Sequence, residues 1–188
     1  MFIVLSGVSS SGKNTIMKEL ATKRKDLKIL EQSSATTRPP RESDKEHNTY
    51  LFMSKEEFEK KIQSGEFFEH ELVHDNYYGM FNSALEKVVD DKSCDYIRDI
   101  DVKGCVNLKR YFEGKSPILS IFIDAPNDVL RERLLYRGDN PMDIEKRLGR
   151  AEMERAYKGN YDLIVENIDL EKSVNIINDF IDDFKNKN

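Results

Sequence analysis

The sequence predicts an α/β fold, a three-layer arrangement with helices on both faces of a parallel sheet, and three observations carry that reading. Residues 2–5, 118–123 and 163–165 are short, predominantly apolar runs, the pattern of strands buried on both faces, and residues 94–101 read as one more that turns charged at its end. Helical patterns alternate with them. In the last helix Leu170, Val174, Ile177, Ile181 and Phe184 recur at helical spacing with acids and Asn between them. Such alternation packs as a parallel sheet between helical layers. Two segments break the rhythm. Residues 34–80 are rich in Thr, Tyr, Phe and short alternations and hold one helix opened by Ser54 and Glu57, which can cap each other's amides. They read as a small mixed insertion. Residues 126–156 hold two helical stretches around the turn-forming cluster Arg137-Gly138-Asp139-Asn140-Pro141 and read as a helical lid. The core is then 1–33, 81–125 and 157–188, all within one domain. Lys23, Arg24 and Lys25 read as the solvated end of the first helix.

At 188 residues and 21.9 kDa the chain suits one core of ordinary size. Its net charge of -5 argues against a general nucleic-acid surface, which needs excess Lys and Arg. There is no basic lead with the apolar stretch of a secretory signal, and no run nears the roughly 18 apolar residues of a membrane span. Cys94 and Cys105 are too few to frame a disulfide fold, and His47, His70 and His74 lack a zinc-site spacing with them. The expectation is a cytoplasmic protein without nucleic-acid or membrane partners; monomer and homodimer both stay open.

Gly7-Val8-Ser9-Ser10-Ser11-Gly12-Lys13-Asn14-Thr15 lies directly between the first strand and the first helix. There, successive backbone amides and a helix N-terminus converge on one point, which stabilises a polyanion, and Lys13 can reach its β and γ phosphates. This is a P-loop that departs from the usual pattern twice. Asn14 replaces the hydroxyl that binds Mg²⁺, a role Thr15 could take directly or through water. Ser10 stands where Gly is common, and a positive φ there would cost about 1 kcal/mol or more.

With the segments that follow it, this loop resembles that of the guanylate kinases, and the resemblance covers nearly the whole chain. Ser34-Ala35-Thr36-Thr37-Arg38-Pro39-Pro40-Arg41 is similar to the family's phosphate-gripping turn, with Tyr50 at the family's distance. Gly65-Glu66-Phe67-Phe68-Glu69 and Asn76-Tyr77-Tyr78-Gly79 resemble its base-binding region, Asp99-Ile100-Asp101-Val102-Lys103-Gly104 its acidic turn, and Arg133, Arg137 and Arg147 its lid. The resemblance implies Mg²⁺-dependent transfer of the ATP γ-phosphate to GMP, and to dGMP, in purine nucleotide metabolism. Gly7, Ser9, Ser10, Ser11, Gly12, Lys13, Asn14, Thr15 and Asn167 would bind ATP. Ser34, Arg38, Arg41, Tyr50, Glu69, Tyr78 and Asp101 would bind GMP. Thr15, Asn14 and Asp99 would attend the metal, partly through water, and Lys13, Arg133, Arg137 and Arg147 would stabilise the group in flight.

Residue chemistry supports the same roles. Two Arg forks suit a monophosphate, and a carboxylate such as Glu69 accepts guanine's N1–H and exocyclic amine side by side. Arg133 and Arg137, and Arg147 and Arg150, sit at helical spacing where like charges repel, a cost that a bound polyphosphate would turn into attraction. Met80 stands where the family usually has Ser or Thr, and Ala35 also departs from it. These departures keep two alternatives open, a kinase of altered acceptor preference and a non-catalytic guanylate-kinase-like interaction module. Arg98 is unexpected inside an apolar strand and could pair with the nearby acids.

Overall fold

The computed structural model describes residues 1–40, 49–73 and 75–187. In chain order it begins with β1 (Phe2–Gly7), α1 (Lys13–Lys23), β2 (Leu27–Ile29), β3 (Ser34–Thr36), β4 (Tyr50–Phe52), α2 (Lys55–Gln63), β5 (Phe67–Val73), β6 (Asn76–Phe81) and α3 (Asn82–Asp90). It continues with β7 (Asp95–Asp99), α4 (Val102–Phe112), β8 (Ile118–Asp124), α5 (Asn127–Tyr136), α6 (Pro141–Arg155), β9 (Leu163–Glu166) and α7 (Leu170–Lys187). Two compact units result: Met1–Ile29 with Cys94–Asn188, and Leu30–Ser93.

The first unit is a parallel sheet in the order β2-β7-β1-β8-β9. Because side chains alternate across a strand, Ile3, Leu5, Ile97, Ile121 and Val165 face one way and pack with Ile16, Met17 and Leu20 of α1 and Val174, Ile177 and Ile181 of α7. Burying each of those α7 side chains contributes about 1.5–3 kcal/mol. On the other face Phe2 meets Phe112 of α4, and Phe122 packs with Leu130 and Leu134 of α5 and Ile144 and Leu148 of α6. Helices thus cover both faces, as the alternation predicts. Local chemistry fixes where they start: Asp101 accepts from the Lys103 and Gly104 amides to open α4, and Asn140 accepts from Asp143 N to open α6 with Pro141 in its first turn.

Two sequence expectations change. The 163–165 run is an edge strand, and only Val165 is buried while Ile164 lies half open. Arg24 is not solvated: its Nη2 donates to Asp182 at 2.7 Å and Asp26 at 3.2 Å, and its Nη1 to Asn178 Oδ1 at 2.9 Å. α7 returns along α1 and brings its acids to that guanidinium, a long-range contact that local charge cannot reveal. Arg98 is fully buried in β7, with Nε 3.8 Å from Asp99 Oδ1. Both cysteines are buried free thiols. None of the described helices is long and apolar enough to cross a membrane.

The second unit is a mixed sheet in the order β4-β3-β6-β5, parallel between β3 and β4 and antiparallel elsewhere. Its helix α2 opens with the capping box the sequence predicts, Ser54 Oγ accepting from Glu57 N while Glu57 accepts from Ser54 N. Phe58 of α2 stacks on Phe67 and Tyr77 at 4.4 and 5.1 Å between ring centroids. Gly79 makes that approach possible, since a Cβ there would lie 2.9 Å from both Phe58 and Phe67.

At the far end of the parallel sheet, Lys185 of α7 bridges Asp26 and Asp95. The Lys185 ammonium, followed by Arg24, holds the Asp26 carboxyl down at about 2, against the opposing effect of its partial burial. A carboxyl depressed in the folded state stabilises above its unfolded value of about 3.9, and that stabilisation is lost as pH falls towards the folded value. Asp26→Asn is therefore expected to lower the urea midpoint at neutral pH, with the gap to the parent narrowing as pH drops from about 4 towards 2. A constant gap across that window would contradict the assignment.

Candidate active site

The loop from β1 to α1 is shaped by its backbone. Gly7 leaves the strand at φ 131°, where a Cβ would fall 1.9 Å from the Ile123 carbonyl oxygen of β8. Ser10 has φ 64°, so the position does carry the left-handed strain that its replacement of glycine raised. Gly12 follows at φ 94° as the N-cap of α1, with no side chain capping the helix and no acid in its first turn. The first amides of α1 therefore meet no side-chain acceptor from the cap, an arrangement that favours an anion.

Basic and amide groups converge on that loop. Lys13 Nζ donates to the Gly7 and Val8 carbonyls, each at 2.7 Å. Burial lowers its pKa, while the charge of Asp99 and then of Glu154 opposes the shift. Arg133 of α5 donates through Nη1 to Ser11 O at 3.3 Å and through Nη2 to Asn167 O at 2.8 Å. Arg147 of α6 donates to Ser9 Oγ at 3.2 Å. Asn167, after β9, is buried and donates through Nδ2 to Ser11 O at 2.7 Å, so it braces the loop from below. Arg137 pairs with Asp139, which also lies 3.6 Å from Arg147 Nε, and Arg150 Nε lies 3.0 Å from Glu154 Oε1. The like charges expected to repel along α5 and α6 are thus accompanied by acids of the chain. Sequence reading passed over those two acids, whose only signals were an i+2 and an i+4 spacing from an arginine.

Arg155 ties the end of α6 to the end of β8. Its Nε lies 3.1 and 3.0 Å from the two oxygens of buried Asp124, at the end of β8, and its Nη2 donates to Ala125 O. Lys158 adds a second cation at 2.6 Å. Arg155 and Lys158 hold the Asp124 carboxyl below the usual carboxylate range despite its burial.

Asn14 and Thr15 are exposed on the first turn of α1, and Asp99 is partly exposed at the end of β7. Among the described residues no group of three or more His, Cys, Asp or Glu side chains could hold a metal alone. Oxygen donors with a single carboxylate fit Mg²⁺, which keeps most of its waters and is carried largely by substrate phosphates.

On the second unit the register aligns the residues assigned to the acceptor. Tyr50, Ser34, Met80 and Glu69 form one row across β4, β3, β6 and β5, and Phe52, Thr36, Tyr78 and Glu71 the next. Partners in register point to the same face, so Ser34, Tyr50, Glu69 and Tyr78 share a face opposite the α2 packing. The Arg38 guanidinium lies 5.5 Å from the Tyr50 ring centroid and 5.3 Å from that of Phe52, which holds it beside that face. Met80 is buried between Ser34 and Glu69. Asp101 belongs to the first unit, where its Oδ1 caps α4. Arg41 lies outside the described residues.

A family model described as guanylate kinase matches residues 1–184. The guanylate kinase of Bacteroides thetaiotaomicron is 38% identical over 188 aligned residues, covering 98% of this chain and 90% of that protein. The guanylate kinase of Helicobacter pylori is 40% identical over 177, covering 93% and 83%. The crystal structure of guanylate kinase from Anaplasma phagocytophilum superposes with a TM-score of 0.69 at 27% identity, covering 96% of this chain and 83% of that one. The match takes in the loop after β1, the strand-rich unit and helices α5 and α6, and the chain belongs to the guanylate kinase family.

Proposed function

We propose that the chain carries out the reaction of its family, ATP plus GMP giving ADP plus GDP, with the loop after β1 as the donor site and the polar face of the second sheet as the acceptor site. The observation that carries this is the convergence of Lys13, Arg133 and Arg147 on an uncapped helix N-terminus. The division of labour between a core, a GMP-binding insertion over 34–80 and a lid over 126–156 is part of the same proposal, as is turnover of dGMP.

The nucleophile is a phosphate oxygen of GMP, ionised near neutral pH, so no general base is needed. The task is to align two anions and offset their repulsion. Loop amides from Ser9 to Thr15 and the Lys13 ammonium take the β and γ phosphates. Arg133, already tied to Ser11, and Arg147, tied to Ser9, present cations where charge develops on the transferred group. Arg137 exchanges Asp139 for phosphate. Thr15, Asn14 and Asp99 would hold Mg²⁺, partly through water, and the ion would supply charge neutralisation at the donor phosphates. Arg38, with Arg41, grips the GMP phosphate alongside the Tyr50 and Tyr78 hydroxyls. Glu69 accepts guanine N1–H and the exocyclic amine, with Ser34 and Asp101 as further base contacts. An adenine in that place would set an acceptor against the carboxylate, a mismatch that discriminates by orders of magnitude.

Coupled ADP-release assays with GMP, dGMP, AMP and UMP test this reading, with turnover expected for the two guanine nucleotides. Activity on none of them, or preference for another base, would overturn it. Lys13→Ala is expected to lower kcat by roughly 10²- to 10³-fold, the cost of one lost transition-state contact, with GMP affinity largely retained. A variant that keeps its turnover would remove Lys13 from the role. Glu69→Gln is expected to cost about 10- to 150-fold in kcat/KM for GMP, the worth of a charged hydrogen bond. Unchanged discrimination against AMP would show that the base is read elsewhere.

A further inference from the structure

Arg147, Arg150 and Glu154 stand at i, i+3 and i+7 on α6, one stripe of the helix. Arg147 shows which way that stripe faces, because its Nη1 reaches Ser9 of the phosphate loop. Both Arg150 and Glu154 lie within electrostatic reach of the Lys13 ammonium. Their pairing differs from an ordinary surface ion pair. The Arg131–Glu145 pair, between the outer sides of α5 and α6, is open at both ends, with side chains 47% and 64% exposed. In the Arg150–Glu154 pair the arginine side chain is 56% exposed and the glutamate only 12%.

Glu154 is buried, and its Oε2 has no hydrogen-bond partner among the described residues. Holding a half-satisfied carboxylate there is costly, and a helix gains only a few tenths of a kcal/mol from a pair at this spacing. The cost points to a role other than helix stability. Glu154 Oε1 lies 3.0 Å from Arg150 Nε, and neither Nη1 nor Nη2 donates a hydrogen bond to the described residues. The two-pronged end of the guanidinium is thereby left presented, on the loop-facing stripe, beside the other cations of the donor site. That end is the part suited to bidentate phosphate contact.

We propose that Arg150 is a further phosphate-binding residue for the triphosphate donor, and that Glu154 is a positioning residue that aims its fork. This rests on the reading of the loop as the donor site. Arg150 extends the line begun by Arg147 along α6, so it meets the polyphosphate without contact to the acceptor. Glu154 serves the donor contact by positioning Arg150.

The test compares Arg150→Gln, Arg150→Lys, Glu154→Gln and the double Gln variant with the full-length parent. The readouts are steady-state kinetics in ATP at saturating GMP and calorimetric affinities for ATP and for GMP separately. Arg150→Gln is expected to lower kcat/KM for ATP by roughly 10- to 100-fold, the range of a charged hydrogen bond, and to weaken ATP binding while GMP affinity stays within about twofold. Arg150→Lys should recover part of the loss. Glu154→Gln should lower kcat/KM for ATP in the parent and have no further effect once Arg150 is Gln. Arg150→Gln with unchanged kinetics in ATP, or with equal losses for both nucleotides, would overturn the proposal, as would additive losses in the double variant. A parent protein that binds no ATP would instead sink the donor-site reading beneath it, a result the calorimetry separates from the others.

Discussion

The carbonyl of Ser11 is the point on which the first unit depends. It accepts from Asn167 Nδ2 at 2.7 Å and from Arg133 Nη1 at 3.3 Å, so one loop oxygen joins the turn after β1, the end of β9 and helix α5. The loop needs that support, because Ser10 holds a left-handed backbone that costs about 1 kcal/mol or more for a residue with a Cβ. Gly12 completes the arrangement, since a Cβ there would lie 2.4 Å from Asn167 Nδ2. A larger residue would displace the brace and with it the loop it holds.

The same economy governs helices α5 and α6. Helices α5 and α6 carry arginines towards one loop, and unshielded cations at such spacing would repel each other. Acids of the chain are placed between them: Asp139 beside Arg137 and Arg147, Glu154 beside Arg150, and Asp124 beneath Arg155 and Lys158. These pairs differ in kind. Asp124 is buried, doubly paired and bonded to the Ala125 amide, which suits a fixed joint. Asp139, at the turn between the helices, pairs with the half-exposed end of Arg137 and lies 3.6 Å from Arg147 Nε.

Much of this was legible in the residues. The strands β1 and β8 announce themselves as apolar runs because both of their faces are covered, and the loop announces itself because its glycines follow a strand and precede a helix. The capping box of α2 is a local signal and was found. What escaped were features set by partners distant in sequence. β2 has three residues with Lys28 exposed in the middle, too short for a pattern, and exists because it pairs with β7. Arg24 looks like a solvated charge until α7 brings Asp182 to it. The row of Tyr50, Ser34, Met80 and Glu69 depends on the register of four strands that lie between Ser34 and Phe81, which no single segment encodes. Arg98, unexpected in an apolar strand, lies on the opposite side of β7 from Ile97, with its Nε 3.8 Å from Asp99 Oδ1.

A crystal structure with a non-hydrolysable ATP analogue and GMP bound together tests the central claim most directly. The account predicts β and γ phosphates within hydrogen-bond distance of Lys13 Nζ and the loop amides, with guanine N1 and its exocyclic amine on the Glu69 carboxylate. A triphosphate seated away from the loop after β1, or a guanine turned away from Glu69, would contradict it.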